Sequence, residues 1–307
     1  MHVEFARAGL SVLERGWLSS NSVVIAAEDD SPTVLVDSGY WSHAAQTVAL
    51  VEHALAGRGL DRLINTHLHS DHCGGNAALQ ARYGCAIDVP VGEAAKVDAW
   101  DEAALTFDWT GQHCPRFTRR GVIAVGDTLR LGAWDWQVIG SPGHDPESMV
   151  LHQPELALLI SADALWENGF GIVFPELEGR DAFGEVRETL ERIGRLRVRW
   201  TIPGHGRPFE DIGAALARAH RRIDALAADP RRHARHAVKV LVKFHLLEHQ
   251  AEPLATLARW VEANGCIRDI HRAHGAGDAF DPWWRALVGE LADSGALCID
   301  GDRVVNA

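Results

Sequence analysis

Up to about residue 229 the chain alternates short apolar runs, bounded by turn residues, with stretches of helical periodicity. Ser22–Ala27 (SVVIAA) and Thr33–Gly39 (TVLVDSG) read as strands separated by the turn-like EDDSP. From Ser42 to Ala56, the residues Ala45, Val48, Ala49, Val51 and Leu55 recur at the spacing of an amphipathic helix. Arg62–Thr66 (RLINT) reads as a buried strand, and Asp71–Tyr83 as the next helix, with Ala77, Ala78, Leu79 and Ala81 inside it. Between Val122 and Ala162 the pattern turns to β, with strands predicted in Val122–Gly132, Asp135–Gly143, Ser148–Gln153 and Leu156–Ser161. Helices over Phe183–Leu196 and Asp211–Asp229 then flank a strand in Val198–Gly204. This two-phase order predicts two sheets packed face to face with helices outside.

At Asp229-Pro230 the pattern changes, and Pro230 followed by RRHARH marks a hinge. Beyond it come helices over Ala237–His249, Leu254–Asn264 and Asp281–Gly295. Two short strands around Asp300-Gly301 then form a hairpin. Three helices and a terminal hairpin describe a winged-helix-like module, so the expected domains are residues 1–229 and 230–307.

Composition narrows the setting. The 307 residues are 47% hydrophobic and 23% charged, ample for a core. The net charge of −12 repels polyphosphate, and bound divalent cations would offset part of it. Five cysteines, Cys73, Cys85, Cys114, Cys266 and Cys298, show no CxxC spacing and read as free thiols in a reducing compartment; Cys73 adjoins the motif described next. The first residues, MHVEFARAGLSVLERGW, lack the apolar centre of a signal peptide, and no apolar run reaches about 18 residues. A cytoplasmic protein without a membrane span is expected.

The chemistry begins where the Arg62–Thr66 strand ends, in THLHSDHCGG, with three histidines and an aspartate within six residues. His67 and His69 are two apart, so in extended backbone both imidazoles point the same way. Asp71 and His72 follow where the chain turns into a helix. Imidazole and carboxylate together suit Zn²⁺, with Fe and Mn also acceptable. Three other segments place a polar residue just past an apolar strand: His144 in QVIGSPGHD, Asp163 in ALLISADAL and His205 in RWTIPGHGRP. Side chains at strand ends are held by rigid sheet while their loops stay open to substrate. One histidine in a Gly-rich turn is more often structural; the four segments together argue for a metal site.

THLHSDHCGG, SPGHD, SADA and PGHG, in this order, resemble the metallo-β-lactamase superfamily over roughly residues 1–229. The resemblance implies an α+β fold, a four-layer αββα sandwich, here with the small winged-helix-like C-terminal domain added. It implies two divalent transition-metal ions, Zn first and Fe or Mn as alternatives. His67, His69 and His144 would bind one, Asp71, His72 and His205 the other, and Asp163 would bridge. Asp71 would also act catalytically by orienting a metal-bridging hydroxide. Asp37, after VLV, matches an acidic position that buttresses the metal loops; its plain alternative is a turn carboxylate. Within it the chain resembles the glyoxalase-II-like and lactamase-β-like hydrolases with a C-terminal winged helix, which implies a small-molecule substrate, a thioester or another activated ester. A lactonase, a phosphodiesterase or ribonuclease, and a persulfide dioxygenase-like mononuclear iron enzyme are the competing readings, and a protein that keeps its metals only structurally ranks last. A ribonuclease would need a basic channel, which the net charge disfavours; antibiotic lactam cleavage would call for secretion.

Other features carry plain alternatives. His245-Leu246-Leu247-Glu248-His249 matches the HxxEH pattern of zinc peptidases, yet Val238, Leu241 and Val242 share its helical face, which favours an ordinary helix. The segment ALWENGFGIVFPELEG suits a lid, with Trp166, Phe170 and Phe174 as an apolar substrate wall; core aromatics explain it equally well. The basic run Arg218, Arg221, Arg222, Arg231, Arg232 and Arg235 could hold an anion, but a solvated helix face is the simpler account. From residue 231 onward ten Lys and Arg balance ten Asp and Glu. Such a module is expected to pack on the catalytic domain or form a homodimer contact, without binding nucleic acid.

Overall fold

The computed structural model describes residues 3–28, 30–275 and 277–307. A short helix α1 (Val3–Arg7) precedes β1 (Leu10–Leu13), β2 (Ser22–Ile25) and β3 (Val34–Val36). Then come α2 (Ala44–Leu55), β4 (Arg62–Ile64), α3 (Ser70–Cys73), α4 (Asn76–Tyr83), β5 (Ala86–Pro90), α5 (Ala94–Ala99), α6 (Phe107–Thr110) and β6 (Gly121–Ile123). The six strands form one sheet in chain order, antiparallel from β1 to β3 and parallel from β3 to β6. The second sheet comprises β7 (Thr128–Leu131), β8 (Trp134–Gly140), β9 (Met149–Gln153), β10 (Leu158–Ala162) and β11 (Trp200–Pro203). Its order is β11-β10-β9-β8-β7, with β10 and β11 parallel. Between β10 and β11 lie α7 (Phe174–Leu177) and α8 (Phe183–Gly194), and after β11 comes α9 (Ile212–Ala228).

Strand alternation sorts the side chains into layers. Val23, Ile25, Val34 and Val36 meet Val138, Leu151, Leu158 and Ile160 between the sheets. On the outer face of the first sheet Val24, Leu35, Leu63 and Ile87 pack against Val51 and Leu55 of α2 and Leu79 of α4. On the outer face of the second, Val150 and Leu159 pack against Val186 and Leu190 of α8 and Ala219 and Ile223 of α9. The four-layer αββα sandwich expected from the sequence is therefore present.

Several boundaries differ from expectation. The helix expected over Asp71–Tyr83 is two helices, α3 and α4, divided at Gly74-Gly75. A Cβ on Gly74 would lie 2.4 Å from the Trp41 backbone nitrogen, and one on Gly75 would lie 2.4 Å from the Ser38 oxygen. The apolar run Val122–Gly132 is two strands in different sheets, because the chain crosses from β6 to β7 through a turn at Gly126 (φ 96°). β1 and β5 were not anticipated: β5 contains Asp88 and ends in Pro90, and Arg62 Nε donates to Asp88 Oδ2 at 2.6 Å to neutralise the acidic position.

Beyond residue 229 the chain forms α10 (Pro230–His249), β12 (Ala251–Pro253), α11 (Leu254–Ala263), α12 (Gly265–His274), α13 (Phe280–Asp293), β13 (Leu297–Asp300) and β14 (Arg303–Asn306). Pro230 opens α10, where its missing N–H costs nothing, and Asp229 alone separates α9 from α10. The expected hinge is thus a helix start. α12 is an additional helix, capped by Asn264 Oδ1, which accepts from the Ile267 N–H at 3.0 Å. The terminal hairpin is joined by β12 in a three-stranded sheet of order β12-β14-β13. The C-terminal helices share their core with Ile172 and Leu177 of the preceding region, so they pack onto the segment that follows β10. Among the described residues no helix is long and apolar enough to cross a membrane.

Candidate metal centre

Five of the candidate donors sit just beyond strand ends, and Asp71 and His72 lie on the short helix α3 that follows β4. His67 and His69 follow β4, Asp163 follows β10 and His205 follows β11, while His144 lies in the turn between β8 and β9. The structure brings His67, His69 and His144 into one group of potential metal donors and Asp71, His72, Asp163 and His205 into another, with the donor atoms of each group within 4.8 Å of one another. Asp163 lies between the two. Its Oδ1 is 3.4 Å from His72 Nε2, and its Oδ2 is 3.5 Å from His144 Nε2 and 3.8 Å from His205 Nε2. All seven expected positions converge.

The loops are held by a polar scaffold. Asp37, just past β3, adopts φ 57°, a left-handed conformation that is sterically costly for a residue with a Cβ. Its carboxylate accepts from the Thr66 N–H at 2.9 Å, from Thr66 Oγ1 at 2.8 Å and from His72 Nδ1 at 2.8 Å. Those bonds turn His72 Nε2 toward Asp163. Asn65 Nδ2 donates to the His72 carbonyl at 3.1 Å, and Cys73 Sγ lies 3.3 Å from the His69 carbonyl and 3.6 Å from Cys114 Sγ, behind the loop. The His144 Nδ1–H donates to the Ile172 carbonyl at 2.5 Å, and His144 Nε2 lies 2.8 Å from His69 Nδ1. A Cβ on Gly204 would lie 2.1 Å from Asp163 Oδ1, so the close approach of the β11 loop to Asp163 requires glycine.

The buried imidazole nitrogens bear on whether cations fit. His67 Nε2 is buried without a hydrogen-bond partner, an arrangement that costs free energy unless something else binds there, and His72 Nε2 faces the Asp163 carboxylate at 3.4 Å. Burial, followed by the neighbouring imidazoles, pushes His67 well below the usual histidine range; burial first also brings His69 and His144 down to about 4. These three rings are therefore neutral near pH 7, with lone pairs free for a metal. Burial opposes ionisation of Asp71 and Asp163, yet adjacent imidazoles outweigh it and hold both below the ordinary carboxylate value: His72 and His205 at Asp71, and His205, His72 and His144 at Asp163. Burial also disfavours a charged His72, but Asp163, Asp37 and Asp71 outweigh it and raise that group well above 6.5. The donor set is thus buried, neutral at His67, His69 and His144 and anionic at its carboxylates, which suits divalent cations.

The metallo-β-lactamase superfamily profile matches residues 15–205, a span that contains all seven donors. The chain belongs to this superfamily. A hydroxyacylglutathione hydrolase from Hyphomonas neptunium is 33% identical over 137 residues, covering 45% of this chain and 44% of that protein. The chain spans less than half the length of the curated relatives it matches. The fold of a β-lactamase domain protein from Burkholderia ambifaria superposes with a TM-score of 0.56 at 21% identity, covering 97% of this chain and 91% of that one. A metallo-β-lactamase family protein from Thermus thermophilus gives a TM-score of 0.55 at 18% identity, covering 97% and 99%. The superfamily's sandwich and the C-terminal helices thus recur together in solved folds.

Within this metallo-β-lactamase scaffold the expected apolar wall is only partly where the sequence put it. Trp166 and Phe174 line the small cavity of about 90 Å³ over the donors. Trp166 Nε1 donates to Asp163 Oδ1 at 3.1 Å, and Phe174 sets its edge against His69 at 5.1 Å between ring centres. Phe170 does not line that cavity; it is buried in the outer core beside β10 and borders an adjoining larger cavity. Residues that sequence reasoning passed over complete the wall. Val240, Leu241 and Phe244 come from α10, and Trp17 stacks on His205 at 5.3 Å with planes 9° apart. Asn21 was also missed: its side chain donates to the Pro203 carbonyl at 2.9 Å and the Gly206 carbonyl at 2.7 Å, bracing the His205 loop. A lone Asn in SSNS carries no sequence signal, because its partners lie far along the chain.

The HxxEH pattern forms no second centre. His245 Nε2 pairs with Glu252 Oε1 at 2.8 Å and its ring stacks on Trp260, while Glu248 Oε2 accepts from the Tyr40 hydroxyl at 2.8 Å. Near the donors, buried Glu93 is raised from its ordinary 4.5 to about 7, first by burial and then by the charge of Asp145, against the opposing pull of Lys96. Because the folded value lies above the unfolded one, this group removes stability as pH rises from about 4.5 to 7. Glu93→Gln is expected to abolish that slope, which is worth on the order of 3 kcal/mol. Urea unfolding of wild type and variant at pH 5 and pH 8 checks it; identical slopes would refute the assignment.

Proposed function

We propose that this chain is a metal-dependent hydrolase of thioesters or other small activated esters. The observation that carries the reading is the convergence of seven potential donor side chains from four separate segments, among them the buried His67 Nε2, which has no hydrogen-bond partner. His67, His69 and His144 would hold one divalent cation, Asp71, His72 and His205 the other, and Asp163 would serve both. Zn is the first expectation for imidazole and carboxylate donors, with Fe or Mn accepted. Cations bound there supply a water acidic enough to attack near neutral pH and polarise the substrate carbonyl.

The chain's own residues do the rest. Asp71, hydrogen-bonded by His205 Nε2 at 3.0 Å, sets the direction of the attacking oxygen. Trp166 fixes the Asp163 carboxylate through its indole N–H. Phe174, Leu241 and Phe244 exclude bulk water above the donors. Residues 1–229 form the catalytic domain in this reading, and the winged-helix-like residues 230–307 close the site with α10. The thioester preference is supported by the relatives' name, hydroxyacylglutathione hydrolase. The balanced charge beyond residue 231 supports a packing role over nucleic-acid binding.

The test joins elemental analysis to a thioester panel with detection of free thiol. Protein purified without added metal should carry about two transition-metal ions per chain, and release of thiol should stop on chelation. No more than one tightly bound iron, with O₂ consumed on a persulfide, would replace the hydrolase with a mononuclear iron oxygenase.

A further inference from the structure

A second cavity, of about 590 Å³, opens beside the donors between the Trp166–Ile172 segment and helices α10 and α13. It shares Trp17, Trp166, Ile172, His205, Val240 and Phe244 with the smaller cavity above the donors, so the two adjoin. Its size falls within the range of about 300–1,000 Å³ typical of small-molecule sites. Much of its wall is aromatic and aliphatic, formed by Trp17, Trp166, Phe170, Val240, Phe244 and Leu247.

The charged groups on that wall are Arg207, Arg222, Lys239 and Lys243 against Glu167 and Glu290, a local cationic excess in a chain of net charge −12. Most of these cations are already committed or solvated. Lys239 pairs with Glu290 at 3.1 Å, Lys243 donates to the carbonyls of Ala296 and Ala307 and to Asn306 Oδ1, and Arg207 is exposed. Arg222 differs. It is half-buried, its Nη2 donates to His236 Nε2 at 2.9 Å, and its guanidinium lies over the Phe170 ring at 5.4 Å. Among the described residues no carboxylate pairs with it. Burial followed by the charges of Arg222, Lys239 and Arg232 brings His236 down to about 4, so the imidazole is a neutral acceptor that does not balance the guanidinium. A half-buried cation left without a counter-charge is costly, and its planar fork matches a carboxylate.

We propose that this cavity binds the part of the substrate remote from the scissile bond, and that it takes a medium-length apolar chain ending in a carboxylate held by Arg222. The position of the scissile bond rests on the hydrolase reading; the chain-and-carboxylate site rests on the cavity alone. One uncompensated guanidinium matches one singly charged group. The aromatic and aliphatic approach suits methylenes better than the peptide groups of glutathione, which would lose hydrogen bonds there.

The probes are octanoate and octanamide, titrated into metal-loaded protein with tryptophan fluorescence as the readout, since Trp17 and Trp166 line the cavity. Octanoate should bind at least about tenfold more tightly than octanamide, consistent with a charge-assisted hydrogen bond. Arg222→Gln should erase that preference and Arg222→Lys should retain part of it. Leu247→Trp, which fills the cavity from α10 away from Arg222, should weaken both probes. Equal binding of the two probes would overturn the proposal, as would a preference that survives Arg222→Gln, because the carboxylate would then be sitting on the metals. N-acetylcysteamine thioesters separate the two readings. Turnover of short acyl thioesters without any Arg222-dependent preference sinks the cavity proposal alone. An Arg222-dependent octanoate preference in a protein that hydrolyses neither thioesters nor activated esters upholds the cavity and sinks the ester-hydrolase reading.

Discussion

Asp163→Asn is expected to lower kcat on a thioester by about 10²–10³-fold, the scale of losing one electrostatic group aimed at the reacting atoms, while leaving the fold intact. The substitution keeps the side-chain volume, and the amide oxygen can still accept from Trp166 Nε1. It removes the negative charge that lies within 3.4–3.8 Å of His72, His144 and His205, on a carboxylate placed between both donor groups. Metal content, thermal midpoint and kcat measured on the same preparation separate the possibilities. Glu248→Gln is the control, since Glu248 accepts a hydrogen bond from Tyr40 away from the donors, and it should turn over normally. Full activity in Asp163→Asn with loss in Glu248→Gln would move the chemistry to the α10 histidines and end the dinuclear reading.

Asp37→Ala should produce the second large effect, and on stability as well as on metal affinity. The buried carboxylate satisfies the Thr66 backbone N–H, the Thr66 hydroxyl and His72 Nδ1 together. Removing it leaves those donors unpaired behind the metal loop. Breaking a buried hydrogen-bonded ion pair costs about 3–5 kcal/mol, and loss of the group that orients a ligating imidazole costs about 10–100-fold in metal affinity. Urea denaturation of chelated protein reads the first effect, and competition against a chromophoric chelator reads the second. A variant with wild-type stability and wild-type affinity would show that Asp37 is only a turn residue. Asp37→Asn should fall between the two, because it retains an acceptor for Thr66 but offers an N–H₂ or a weaker acceptor to His72.

The donor set was readable because its chemistry is local in sequence. His67, His69, Asp71 and His72 lie within one strand-to-helix turn, and His144, Asp163 and His205 each follow a recognisable apolar strand. The layers were readable for the same kind of reason: Val23-Val24-Ile25 and Leu158-Leu159-Ile160 alternate between faces, and both faces are buried. Where a short apolar run could serve either sheet, periodicity was silent. Val122–Gly132 looks like one strand because nothing local says that the chain changes sheets at Gly126. The Asp71–Tyr83 helix looks continuous because Gly74 and Gly75 are demanded by Trp41 and Ser38, which belong to another part of the fold. α12 was hidden in a polar stretch whose helical face is defined only by its neighbours in the C-terminal core.

The sequence by itself determined two facing sheets with helices outside and the seven candidate donors, since these rest on residue type and spacing along short stretches, while the supporting role of Asp37 came from the resemblance to the superfamily. Only the tertiary structure decided what surrounds the donors. It placed Phe170 in the core instead of the small cavity, brought Trp17 onto His205, and supplied Val240, Leu241 and Phe244 from a helix beyond residue 229. It also dismissed the HxxEH pair by giving His245 to Glu252 and Glu248 to Tyr40. The physical reason is common to all of these. Ligand identity is a property of one side chain and its neighbours in sequence, whereas a wall, a stacking partner or a buried charge without a counter-ion depends on which distant surfaces the burial of apolar area presses together.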